Sequence, residues 1–158
     1  MSAFDKYLHA VILRATDEAR ADGSSTVDAQ HLLLSLAADQ GSTAQRLLAS
    51  AGLDRGAVRT ALDREFEHSL SLVGVAPAAR DLPAASPAIQ DPALGASAKL
   101  ALERSFTTAR KKDLRSAHLL LGILEARIGT VPRTLALAGV DRAELAQRAG
   151  RALEGGER

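Results

Sequence analysis

The chain has no cysteine, which removes disulfides, thiolate nucleophiles and thiolate metal ligands together. Aromatic residues make up only 3% of it and β-branched residues are scarce, so the side chains that strands favour are largely missing. No charge sign predominates: 20 basic and 19 acidic residues leave a net charge of +1. Sequence-independent binding to a phosphate backbone needs a clustered basic face, and the one basic run, Arg110-Lys111-Lys112, falls where a helix should end and cations complement its dipole. No apolar run approaches the length of a membrane span, and Met1-Ser2-Ala3-Phe4-Asp5-Lys6 does not read as a signal peptide. The expectation is a soluble, cytoplasmic protein without nucleic-acid or membrane partners.

Catalytic signals are as sparse. No glycine-rich loop ends in Lys-Ser or Lys-Thr, so a phosphate-cradling site of that kind is excluded. His9, His31, His68 and His118 never pair at three- or four-residue spacing, which argues against a metal site. No strand-turn-helix context surrounds a serine nucleophile. The residues therefore predict no enzyme, no metal and no cofactor.

What remains is alanine and leucine, which carry most of a 46% apolar share and are strong helix formers. An all-α fold follows. The chain also repeats itself. His31-Leu32-Leu33-Leu34-Ser35-Leu36 returns as His118-Leu119-Leu120-Leu121-Gly122-Ile123, and Gly52-Leu53-Asp54-Arg55 returns at the same offset as Gly139-Val140-Asp141-Arg142. Two separated matches at one offset indicate a duplicated unit.

Helical spacing of Phe4, Leu8, Val11, Ile12, Ala15 and Ala19 gives a first helix, stopped by Asp22-Gly23. Asp28 caps a second that is apolar nearly all round and hence buried, Ser42 or Thr43 caps a short third, and Asp54 caps a fourth with Val58, Leu62 and Phe66 inward. Four of the five prolines (Pro77, Pro83, Pro87, Pro92) forbid a continuous helix beyond it. Asp91-Pro92 then reads as N-cap and first helical residue of a second set, with Leu94, Ala98, Ala101, Leu102, Ser105 and Phe106 as its first apolar stripe. Ser116 caps the next helix, Pro132 opens a short one, and Asp141 with Glu144 makes a capping box for the last. The predicted organisation is a repeat over 4–69, a linker over 70–91, a second repeat over 92–154 and a frayed tail over 155–158, giving a pseudo-two-fold pack of about eight helices.

His31 and His118 head the two apolar segments. Imidazole titrates near neutral pH and can carry protons or ligands. A buried ring must instead find hydrogen-bond partners, and the duplicated context favours a structural role, each ring bonded to backbone of a neighbouring loop.

Asp17-Glu18-Ala19-Arg20, Val27, Gln30-His31-Leu32-Leu33-Leu34-Ser35-Leu36 and Leu48 with Gly52-Leu53, together with the similar run from Leu114 to Val140, resemble the Clp N-terminal repeat. This is the duplicated helical domain at the head of ClpA/ClpC-type unfoldases, here without ATPase modules, as a stand-alone protein or an excised domain. The resemblance implies a non-catalytic module that receives adaptors, substrates or peptide-like inhibitors of the Clp proteolysis system, or competes for them. It places partner binding at Phe4, Asp5, Gln30, Asp91 and Ala117. Members of the Gram-positive branch carry a glutamate before each histidine that is associated with holding the guanidinium of phosphorylated arginine. Gln30 and Ala117 stand there instead, and Asp5 and Asp91 would repel a phosphate at the helix starts. The expectation is a retained fold with phosphoarginine binding lost or altered. An alternative of another class is a regulatory protein that binds a small hydrophobic ligand between the repeats.

Overall fold

The computed structural model describes residues 2–74, 91–107, 109–110 and 113–154. Capping residues set the helix starts. Ser2 caps α1 (Ala3–Ala21), with Asp5 at the third helical position returning the bond to the Ser2 amide at 3.1 Å. Asp28 precedes α2 (Ala29–Ala38), and Ser42 Oγ accepts from the Gln45 amide at the head of α3 (Thr43–Ser50). Asp54 Oδ1 accepts from the Ala57 amide and opens α4 (Arg55–Leu72), which runs three residues into the stretch read as linker. Residues 75–90 of that stretch, and the tail 155–158, lie outside the described residues. In the second half come α5 (Ala96–Thr107), α6 (Ser116–Leu124), α7 (Thr130–Leu137) and α8 (Arg142–Glu154). The fold is all-α, with eight helices among the described residues.

The contacts come in mates, as a duplicated pack requires. α1 lies on α2 as α5 lies on α6; α2 lies on α4 as α6 lies on α8. Across the seam, α2 meets α6, α3 meets α6 and α8, and α7 meets α2 and α4. The all-round leucines of α2 and α6 are the centre, with Leu33, Leu34, Leu36, Leu120 and Leu124 fully buried. A helix apolar on every face can be stable only inside such a pack.

Three sequence expectations fail here. Asp91-Pro92 does not restart a helix: Ala93–Leu94 form a short strand, β2, parallel to β1 (Thr26–Val27), and α5 begins at Ala96. Between them Gly95 donates to the Val27 carbonyl at 2.8 Å, and a Cβ there would lie 2.1 Å from Asp28 Oδ1. Phe66 and Phe106 face solvent, at 44% and 45% exposure, because Glu65 and Ser105 take the inward positions beside them. Ser116 is the first residue of α6 rather than its cap, which falls on Arg115. The Ser116 hydroxyl instead reaches across the seam and accepts from the Ala44 amide of α3 at 3.1 Å.

Candidate functional site

Both histidines occupy the third position of their helices, and that position explains the repeated polar head. His31 Nδ1 accepts from the Asp28 amide at 2.9 Å, and His118 Nδ1 accepts from the Arg115 amide at 3.0 Å. Each ring thus does what the glutamate of a capping box does, satisfying an orphan donor at the helix start. The bonded backbone belongs to the helix's own cap residue rather than to a neighbouring loop.

An accepting Nδ1 puts the proton of neutral His31 on Nε2, which lies 3.0 Å from Asp22 Oδ2. Asp22 also pairs with Arg59 at 3.0 Å. Burial raises its pKa, but the His31 and Arg59 bonds outweigh burial and hold the carboxyl below the usual range. The residue at the corresponding place in the second half is Ala109. Burial lowers the pKa of His118 and the neighbouring Arg115 cation lowers it further, against the opposing pull of Asp113. Both rings are buried.

The five residues expected at a partner site are dispersed. Phe4 is buried, tilted against Tyr7 with ring centroids 6.3 Å apart, and floors a shallow cleft with Tyr7, Gly41 and Leu114. Burial pushes the Tyr7 phenol up, with Asp39 adding to the shift. Neither Tyr7 Oη nor Asp39 Oδ2 has a hydrogen-bond partner among the described residues. Asp5 is occupied in capping α1. Asp91 is exposed and does not cap a helix; its carboxylate pairs with Arg20 at the end of α1. Ala117 is 1% exposed, so it presents no surface to a partner. Gln30 is half-buried at the start of α2 and lines a cleft.

Gln30 and Thr130 are shared by two clefts, which therefore meet. One, of about 450 Å³, lies between α5, the start of α2 and the α6–α7 loop, with Leu100, Arg104, Arg127 and Ile128 among its lining residues. The other, of about 440 Å³, lies between the end of α1, α4 and Thr130, and has exposed Phe66 in its wall beside Arg59 and Asp63. Glu65 is also part of this wall; it accepts from Arg133 Nε at 2.9 Å and from Ser69 Oγ at 2.6 Å, tying α4 to α7. The joined groove crosses the seam between the two halves. Sequence reasoning missed it because its lining comes from segments far apart in the chain. The one available signal was Ile128, an apolar residue in a loop between polar and glycine neighbours.

Space enclosed at the seam is much smaller. Val11, Leu32, Leu36, Ala101, Leu102 and Ile123 surround a void of about 10 Å³, which is room for about one water molecule. Among the described residues no group of three or more histidines and carboxylates is arranged to hold a metal ion, and no helix is long and apolar enough to cross a membrane.

Residues 3–111 match the family described as the Clp repeat (R) N-terminal domain. The structure is similar to the crystal structure of the N-terminal domain of the caseinolytic protease associated chaperone ClpD from Arabidopsis thaliana. The TM-score is 0.63 at 21% identity, over 91% of this chain and 92% of that one. No curated protein matches the sequence.

Proposed function

The chain belongs to the Clp repeat N-terminal domain family, and on that premise we propose that it works as a protein-interaction module of the Clp system, taking substrates, adaptors or peptide-like inhibitors into the groove across its seam. The observation that carries this reading is the meeting of two clefts at Gln30 and Thr130. An extended segment can lie along such a groove and touch both repeats, which neither half offers alone. Leu100, Phe66 and Ile128 are exposed along it, and apolar side chains ringed by charge are how peptide-binding surfaces are built. The alternative of a small hydrophobic ligand between the repeats draws nothing from the void beside Leu32 and Leu36, which is too small to admit one.

The module acts without chemistry of its own, by holding or withholding a protein from an unfoldase. The test is competition: the purified chain is added to a Clp-type unfoldase and its peptidase while they degrade a model substrate. Dose-dependent slowing of degradation with ATP hydrolysis undiminished is the expected result. Degradation unaffected by a large excess of folded chain would overturn the reading.

A further inference from the structure

We propose that the cleft between α5 and the α6–α7 loop selects an acidic peptide segment carrying an apolar anchor. This rests on the reading of the chain as a protein-interaction module and names the chemistry of the partner it takes. The apolar part of the cleft is open at its lip, where Ile128 is 87% exposed and Leu100 46% exposed, with Ala101 and Ile123 beneath. A side chain laid between Leu100 and Ile128 would cover both from water.

Charge supplies the selection. Arg104, Arg127 and Arg133 line the cleft, against one carboxylate, Asp28. That carboxylate is already engaged, accepting from Thr26 Oγ1 at 2.8 Å and from Ser97 Oγ at 3.4 Å. Arg133 is committed to Glu65. Among the described residues no carboxylate pairs with Arg104 or Arg127. All three cations are arginines, whose planar guanidinium fits a carboxylate in two parallel hydrogen bonds where a lysine offers a point charge. Two unpaired guanidinium groups beside an exposed apolar lip match a segment in which Asp or Glu flanks a leucine-like or aromatic residue. A chain of net charge +1 has no general excess that would attract anions everywhere, so the preference is local to this cleft.

The test uses the full chain and short fluorescent peptides read by anisotropy: one with leucine and phenylalanine flanked by aspartate and glutamate, one with lysine in place of each acid, and one acidic with serine in place of each anchor. The acidic anchored peptide is expected to bind at least about tenfold more tightly than either control, and to weaken as salt screens the pairs. The Arg104→Glu/Arg127→Glu variant, its fold checked by an unchanged melting temperature, is expected to lose that preference and favour the lysine peptide. Acidic and lysine peptides binding alike would overturn the charge preference and leave the module reading standing. So would undiminished binding of the acidic peptide by the double variant. Equal competition by the serine control or by a single-stranded RNA would make the cleft a general anion surface and overturn the proposal. A dimer in sedimentation that Ile128→Asp dissolves would assign the cleft to a second copy of the chain, with the same consequence. If no peptide binds a chain that still slows degradation by the unfoldase, the cleft proposal alone falls. If neither effect is seen, both fall.

Discussion

At Gln30 and Ala117 the two repeats diverge, although each residue stands at the second position of a matching helix, one place before its histidine. Gln30 is half-buried in the wall of the groove and can accept a hydrogen bond, but it has no charge to pair with a guanidinium. Ala117 is closed off altogether. Calorimetric titration of the chain with phosphoarginine is therefore expected to give no binding heat, and micromolar binding would overturn the expectation that this recognition is lost or altered. Ala117→Glu is expected to cost more than about 2 kcal/mol, because it drives a carboxylate into packed surroundings. Gln30→Glu is expected to be close to neutral, and thermal melts of the two variants separate the cases.

His118 carries a second residue-scale consequence. Burial favours its neutral ring, and the bond from the Arg115 amide needs a bare Nδ1, so its folded pKa lies below the ordinary histidine value of 6.5. A histidine shifted in this direction takes up its proton more readily when unfolded. Its stabilisation is complete above that value and is lost as pH falls from there toward the folded pKa. Denaturant midpoints measured against pH are expected to decline through this window in the wild type, and less steeply in His118→Asn. Asp22, held low by His31 and Arg59, adds a loss at more acid pH, as pH falls through the carboxylate range. The sequence placed a polar ring at each helix head, but the identity of its partner depended on which backbone amide the helix start left unpaired.

Elements were legible where their signals are local. Helix-to-helix order, the starts at Asp28, Ser42 and Asp54 and the stop at Gly23 follow from side chains acting within a turn of their own position. Asp91-Pro92 was misread because the competing structure is not local: Ala93–Leu94 pair with Thr26–Val27, a partner a local reading cannot see. The approach of α5 to α6 belongs to the same scale. Gly122 stands where the first repeat has Ser35, and a Cβ on it would lie 2.4 Å from the Ala101 carbonyl and 2.5 Å from Ser105 Oγ. Backbone in the way cannot yield as a flexible side chain can. Gly122→Ala is expected to destabilise the protein by roughly 1–3 kcal/mol. Gly150 in α8 has nothing within 4 Å of its added Cβ, so Gly150→Ala is expected to stabilise by about 0.5–1 kcal/mol. Melting the two variants side by side checks the contrast, and a shift of the same sign in both would refute it.

For the whole molecule, the seam holds more than apolar contact. The Ala29 amide donates to Ser97 Oγ at 2.9 Å, the Ala44 amide to Ser116 Oγ at 3.1 Å, and Arg133 reaches Glu65. Leu32 and Leu36 border the small void between the halves, so each repeat alone would expose its central helix. We therefore expect the intact chain to melt in one cooperative step, and residues 1–74 expressed alone to remain unfolded as a monomer. Two separated transitions would contradict this. Arg133→Ala is expected to cost roughly 1–3 kcal/mol, because the 5% exposed Glu65 would lose its charged partner.

The sequence by itself determined an all-α chain, its duplication, the helix starts at Asp28, Ser42 and Asp54 and the two buried central helices, because periodicity and capping act over a few residues. Only the tertiary structure decided that Ala117 is sealed while Gln30 is open, that Phe66 and Phe106 point outward, and that Leu100, Arg104, Arg127 and Ile128 share one cleft. Those outcomes depend on how one half lies against the other, and that packing brings together residues whose separation along the chain leaves no pattern to read.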